Sequence, residues 1–280
     1  MRVPFRLLVD GCLDGASNMA VDEAVLESYV DAEPPPVPTL RLYAWSPPAV
    51  SLGRRQPASG AHDAAYLRDE GIHLVRRPTG GRAVLHEHER TYAVIGRLGR
   101  PPFDGGVLDT YRRIAAALVA ALRLLGVDAR GEDPAGGHPR DPGPFGPPVC
   151  FDRAGAHEIT AGGRKLVGSA QLRRHGAFLQ HGSLPLRADP VRLSRAIGAP
   201  ADASRFVDLG GALGRVPDTR TIDAAIAAAF THTLGVEAAP GSLTSGEAAR
   251  AAFLRVAKYS LDAWNLEGRE PAGGPGSPRR

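Results

Sequence analysis

Residues 150–186 read CFDRAGAHEITAGGRKLVGSAQLRRHGAFLQHGSLPL. Glu158-Ile159-Thr160 and Lys165-Leu166-Val167-Gly168-Ser169-Ala170 are strand-like runs either side of Ala161-Gly162-Gly163, a tight turn, so the spacing predicts a hairpin. Residues equally far from a turn face each other. Cys150 therefore precedes the first strand, beyond the residue that faces Lys165, and a bend at Ala154-Gly155 with a long lysine stem can still bring thiol and amine together. The stretch holds one of two cysteines and one of two lysines, the other being Lys258. A thiolate is a strong nucleophile, and a nearby cation lowers the pKa of its thiol. Arginine stays protonated, whereas a lysine in a tuned environment can release its proton. A lone cysteine is also commonly a small buried hydrophobe. On this stretch alone both readings stand.

Outward from the hairpin, the chain of 280 residues has room for one large domain or two small ones, and its apolar fraction is that of an ordinary globular protein. A formal charge of +4 suits an acidic protein partner. No Lys/Arg block with interleaved aromatics argues for nucleic acid. Cys12 and Cys150 are too few and too far apart for a disulfide framework. No signal peptide or membrane span is read, so a cytoplasmic protein is expected.

In chain order, Phe5 to Val9 reads as a strand ended by an Asp10-Gly11 turn. Ser17 is a cap for the next helix, with Asp22 and Glu23 in its first turn and Val21, Val25 and Tyr29 on one face. Leu40 to Trp45 alternates as a half-buried strand, and Ala49 to Leu52 and Ile72 to Val75 are further strands around a helix over 61–70. Between Arg76 and His86 runs Arg76-Arg77-Pro78-Thr79-Gly80-Gly81-Arg82-Ala83-Val84-Leu85-His86. Its Gly-Gly pair reads either as an anion or carbonyl cradle of backbone N–H groups or, more simply, as a hairpin turn with solvated arginines. His86 is by itself a satisfied structural histidine before it is a site residue. Thr91 to Ile95 is a strand, and Leu108 to Leu125 a long amphipathic helix. Residues 130–148, rich in Gly and Pro, read as an irregular loop of the kind used as lids. Helices follow over 190–197, along Ile222, Ile226, Phe230 and Leu234 with Thr221 as cap, and over 246–259. A single domain over 1–266 and a disordered tail over 267–280 complete the division. Interspersed helices and short-turned strands predict an α+β fold with a mixed, largely antiparallel sheet flanked by helices.

Taken together, Asn18-Met19-Ala20 with Asp22-Glu23-Ala24, Leu40–Trp45 with Pro47–Gly53, Arg76–His86, Gly163–Gln171, Leu179–Ser183 and Lys258-Tyr259 with Trp264-Asn265 resemble the lipoate/octanoate protein-modification family. The likeness runs in order from about residue 5 to 265 and rests on the set. Within the family it is greatest to the cysteine-dependent octanoyltransferases that load the H protein of glycine cleavage, through Pro-Thr-Gly-Gly-Arg and the Cys150-Phe151 pair. The resemblance implies the fold shared with biotin–protein ligases and class II tRNA synthetases. It implies that Cys150 carries the acyl group as a thioester and that Lys165 lowers its pKa. It places substrate at Arg76, Gly80, Gly81, Arg82, His86, Gly168, Ser169, Ala170, Gln171, His181 and Gly182. The donor is octanoyl-acyl carrier protein, the acceptor a lipoyl-domain lysine, and neither cofactor nor metal is required. The wording after the cysteine, Asp152–His157, matches only loosely. The alternative is an ATP-dependent lipoate–protein ligase that forms an acyl-adenylate. Against it, Arg82 stands where the ligase loop has a third glycine, and no room is left for an accessory domain. Amidotransfer of octanoate between lipoyl domains and a non-catalytic lipoyl-binding protein rank below these.

Overall fold

The computed structural model describes residues 2–30, 32–131 and 158–270. Cys150, the Cys150-Phe151 pair and most of the Gly/Pro-rich loop lie outside the described residues, as does the tail from 271. In chain order the elements are β1 (Val3–Leu13), α1 (Gly15–Glu27), β2 (Thr39–Trp45), β3 (Ala49–Leu52), α2 (Ala64–Asp69), β4 (His73–Arg76), β5 (Val84–His86), β6 (Glu89–Arg97), α3 (Val107–Leu124), β7 (Ala129–Gly131), β8 (Ile159–Ala161), β9 (Arg164–Arg174) and β10 (Ala177–Pro185). After them come α4 (Pro190–Ile197), α5 (Leu209–Leu213), α6 (Thr219–Leu234), β11 (Val236–Pro240), α7 (Ser245–Leu254), a π-helical turn over Arg255–Tyr259, and α8 (Asp262–Asn265).

An eight-stranded sheet runs β11-β1-β2-β6-β10-β9-β8-β7, and a three-stranded sheet runs β4-β3-β5. In the large sheet β1 is parallel to both β11 and β2, and the remaining pairs are antiparallel. The architecture is thus α+β with a mixed, largely antiparallel sheet. One face of the large sheet buries Phe5, Leu40, Tyr92, Val94 and Phe178 under α3 and α6. The other carries Tyr43, Ala93, Ile95 and Leu179 under α1 and α7. A third cluster joins the small sheet to α2 and α4 through Val50, Leu52, Leu67 and Ile197. Among the described residues no helix is long and apolar enough to cross a membrane.

The hairpin read at 158–170 is present as β8 and β9. Gly162 and Gly163 take φ of +57° and +73°, the left-handed pair a two-residue turn of this hand needs. Thr160 faces Lys165, and the register slips by one between Thr160 and Ile159.

Five local readings change. The strand β1 does not stop at Asp10-Gly11 but runs through it, absorbing the pair as a register shift between Val9 and Cys12. The cap of α1 is Asp14, whose carboxylate accepts the Ser17 N–H, so Asp22 and Glu23 fall mid-helix and are buried. Likewise Asp218, not Thr221, caps α6. The Gly80-Gly81 segment is no hairpin, because β4 and β5 both pair with β3 and lie on opposite sides of it. At the other end, residues 267–270 fold back against the domain: Gly268 N–H donates to Trp264 O at 3.0 Å, and Glu270 pairs with Arg54 at 2.7 Å and Lys258 at 3.0 Å.

Candidate active site

The two sheets and α1 leave a narrow, partly open cavity between them. Its apolar wall is Met19 of α1, Tyr43 and Trp45 of β2 and Val84 of β5. Its polar wall includes Ser51, Arg77, His86, Thr91, His181 and Ser183, and Gly168, Ser169, Ala170 and Gly182 of β9 and β10 close it. Small residues are required here: a Cβ on Gly182 would lie 2.5 Å from Gly168 O and 2.6 Å from Tyr92 Cε1.

Of the residues singled out in the sequence, His86, Gly168, Ser169, Ala170, His181 and Gly182 therefore line one cavity. Gln171 lies next to it, in a polar ladder: Gln171 Nε2 donates to Gln180 Oε1 at 3.0 Å, Gln180 Nε2 to Tyr92 OH at 3.3 Å, and Tyr92 OH meets Ser169 Oγ at 2.7 Å. Burial pushes the Tyr92 phenol up to about 12, against Gln180 and Ser169, so it stays a neutral member of the ladder. Lys165 sits three residues before Gly168 on β9, its buried Nζ donating to Glu158.

Arg76 serves the scaffold instead. Its Nε donates to Trp264 O at 2.9 Å, its Nη1 to Gly53 O at 2.7 Å and Gln56 O at 2.6 Å, and its own carbonyl accepts from Trp264 Nε1 at 2.8 Å. Asn265 Oδ1 accepts the Arg76 N–H at 2.9 Å. The C-terminal Trp264-Asn265 thus straps down the base of the Gly-rich loop. Arg77, read in the sequence only as a flanking arginine of the loop, shapes the loop itself: its Nη2 donates to Gly80 O at 2.8 Å and Arg82 O at 2.7 Å, and its Nη1 to Ser51 O and Oγ at 3.0 Å. These arginines are buried, which the solvated-turn reading excluded. Gly80, Gly81 and Arg82 form the loop that Arg77 gathers and are not among the residues lining the cavity.

The loop also rests on Gly53. A Cβ there would stand 2.0 Å from Gly81 O, an impossible distance, and backbone rather than a flexible side chain must give way. Gly53→Ala is expected to displace the loop, destabilise the fold by about 1–3 kcal/mol, the usual cost of overpacking, and lower activity by more than that loss of fold accounts for. Thermal melts read beside activity at a temperature where both proteins are folded check this; wild-type activity in a folded variant would contradict it.

Two buried hydroxyl–imidazole–carboxylate chains stand behind the polar wall. In one, Ser51 Oγ meets His86 Nε2 at 2.8 Å and His86 Nδ1 meets Glu89 Oε1 at 3.0 Å. Arg77 Nη1 donates to Ser51 Oγ at 3.0 Å, and the Glu89 carboxylate, which only accepts, takes the N–H of His86 Nδ1. Thr91 and Ser183 hydroxyls also donate to Glu89. The Trp45 indole, held by its Nε1 on Thr91 Oγ1 at 2.8 Å, stacks on His86 with centroids 3.9 Å apart. In the other, Thr79 Oγ1 meets His181 Nε2 at 2.7 Å and His181 Nδ1 meets Asp22 Oδ2 at 3.0 Å. Arg41 Nη1 at 2.7 Å and Tyr43 OH at 2.8 Å complete the Asp22 carboxylate. Met19, Tyr43, Trp45, Ser51, Val84, Thr91 and Ser183 escaped the sequence reading as lining residues. They come from six elements, and no local spacing unites them.

Burial drives the Asp22 carboxyl up, but His181 and Arg41 outweigh it and hold it below the usual carboxylate range. Glu89 is held low in the same way by His86, Ser183 and Thr91. Burial lowers His181 despite Asp22, keeping its imidazole neutral. The signs combine in one direction. The unfolded chain takes up a proton at histidine below about pH 6.5 that folded His181 refuses, and takes up protons at carboxylates near pH 4 that folded Asp22 and Glu89 refuse. Stability is therefore expected to begin falling below about pH 6.5 and to fall again below about pH 4. Denaturant melts across pH check this; a midpoint level from pH 7 to 4 would contradict it.

Known proteins resemble this chain in sequence and fold. The model of the lipoyl protein ligase A/B catalytic domain matches residues 14–231. The octanoyltransferase LipM of Symbiobacterium thermophilum is 42% identical over 285 residues, covering 95% of this chain and 99% of the relative. That of Moorella thermoacetica is 42% identical over 270 residues, covering 93% and 97%. Among solved structures, a lipoate-protein ligase A bound with ATP superposes with a TM-score of 0.79 at 25% identity, over 96% of this chain and 100% of the other. A bipartite lipoate protein ligase from Thermoplasma acidophilum shares the fold, with a TM-score of 0.76 at 24% identity, over 96% of this chain and 98% of the other. The chain belongs to the lipoyl protein ligase A/B catalytic-domain family and, within it, to the octanoyltransferases.

Proposed function

We propose that this octanoyltransferase takes its acyl group from octanoyl-acyl carrier protein, holds it as a thioester on Cys150, and passes it to the lysine of a lipoyl domain, that of the glycine-cleavage H protein first. The near-full-length identity to the octanoyltransferases carries this reading. The cavity supports it: an acyl chain of this length placed against Met19, Tyr43, Trp45 and Val84 gains up to about 5 kcal/mol, at ~0.8 kcal/mol per buried CH₂.

Protons balance over two half-reactions. The Cys150 thiolate attacks the donor's carbonyl carbon, the new S–C bond forms, the bond to the carrier's sulfur breaks, and the departing thiolate takes a proton from the Lys165 ammonium. The acceptor amine, arriving neutral, then attacks the thioester. Its C–N bond forms, its surplus proton passes to the Lys165 amine, and the Cys150 thiolate leaves. Thiolate and ammonium are both restored, with no nucleotide consumed.

The ligase reading has one observation in its favour, the superposition on an ATP-bound ligase. Mixing the protein with apo-H protein separates the two. Octanoyl-acyl carrier protein without ATP is expected to yield octanoylated H protein, faster than it acylates a dehydrogenase lipoyl domain. Acylation that requires ATP and free octanoate would overturn the transfer reading, and equal or reversed rates would overturn the choice of acceptor.

A further inference from the structure

Lys165 is fixed at its main chain as well as its side chain. Its N–H donates to Arg205 O and its carbonyl accepts the Val207 N–H, each at 2.9 Å, so the segment leading to α5 brackets β9 at this residue. Across the hairpin it faces Thr160. The side chain is 2% exposed, and an ammonium so deeply buried needs a charge and hydrogen bonds to meet it. Glu158, the residue just before β8, supplies a carboxylate that its Nζ reaches. Arg164 is exposed at the turn, and the Arg205 guanidinium holds Asp202 at 2.9 Å.

We propose that Glu158 is the positioning residue of Lys165: its carboxylate anchors Nζ at one point while the proton leaves for the donor's sulfur and returns from the acceptor's nitrogen. This rests on the reading of Lys165 as proton donor and acceptor. The lysine must be an ammonium in the first half-reaction and an amine in the second. A fixed negative neighbour favours its return to the ammonium, which the second half-reaction completes. The anchor holds the end of a flexible four-carbon stem where the proton is exchanged.

The test measures octanoyl loading by the full-length protein across pH in Glu158→Gln, Glu158→Asp, Lys165→Gln and the double Gln variant. Glu158→Gln is expected to load about 100-fold more slowly, the usual cost of a reacting group misplaced by an ångström. Glu158→Asp keeps the charge but draws it back, so its rate falls between the two. In the Lys165→Gln background, Glu158→Gln is expected to cost nothing further. Should Glu158→Gln not fold, the aspartate and double variants decide. Wild-type loading beside an unaltered Glu158→Asp or Glu158→Gln, or an equal loss with and without Lys165, overturns this inference alone. Failure of the wild type to load overturns the transfer reading and this inference with it.

Discussion

Replacing Cys150 by alanine is expected to lower octanoyl transfer by about four orders of magnitude or more, with the fold intact. Removing a covalent nucleophile takes away an entire reaction path, and the effect on turnover is among the largest a single side chain produces. The residues described for the cavity, the two histidine chains and the Lys165–Glu158 pair all lie outside 132–157. Transfer from octanoyl-acyl carrier protein to a lipoyl domain is the assay. Loss beside an unchanged melting temperature agrees with a thioester on Cys150. Retained transfer would assign the chemistry elsewhere.

Asp22→Ala is expected to destabilise the protein by about 3–5 kcal/mol, the cost of breaking a buried ion pair by removing one partner. The carboxylate is fully buried in mid-α1 and meets Arg41, Tyr43 and His181 at 2.7, 2.8 and 3.0 Å. Arg41 is itself 0% exposed, and Asp10 at 2.6 Å and Asn18 Oδ1 at 2.9 Å cannot replace the missing charge on its other edge. For a chain of this size the loss corresponds to a fall in melting temperature of roughly 10 °C. The same substitution frees His181, and through it Thr79 of the Gly-rich loop, so transfer falls even where the variant remains folded. Denaturant unfolding of both proteins at pH 7 measures the difference. A change under about 1 kcal/mol would mean that the network is not the core element described here.

Much of the fold was legible in local pattern. The bounds of β3 and α4, the turn at Gly162-Gly163 and the helix closed by Gly126 follow from apolar runs punctuated by Gly and Pro. What escaped was decided by distant partners. Arg41 marks β2 as half-buried by pattern, yet its charge is neutralised by Asp22, nineteen residues upstream on another element. Either Asp14 or Ser17 satisfies the chemistry of a cap, and only the backbone path selects Asp14. A Gly-Gly pair between two strands suggests a hairpin until β3 is found between them. The site was half legible. Gly168 of β9 and His181 and Gly182 of β10 stand in contiguous motifs and converge on the cavity. Arg77 and Glu158, by contrast, gain their roles from carbonyls and an amine brought to them by folding.

The most direct measurement is the intact mass of the protein after mixing with octanoyl-acyl carrier protein in the absence of ATP. A gain of one octanoyl group is expected, cleaved by hydroxylamine and absent in Cys150→Ala. Cys12, a free and exposed thiol, makes that variant the necessary control. No adduct, or an adduct that survives in Cys150→Ala, would contradict a Cys150 thioester.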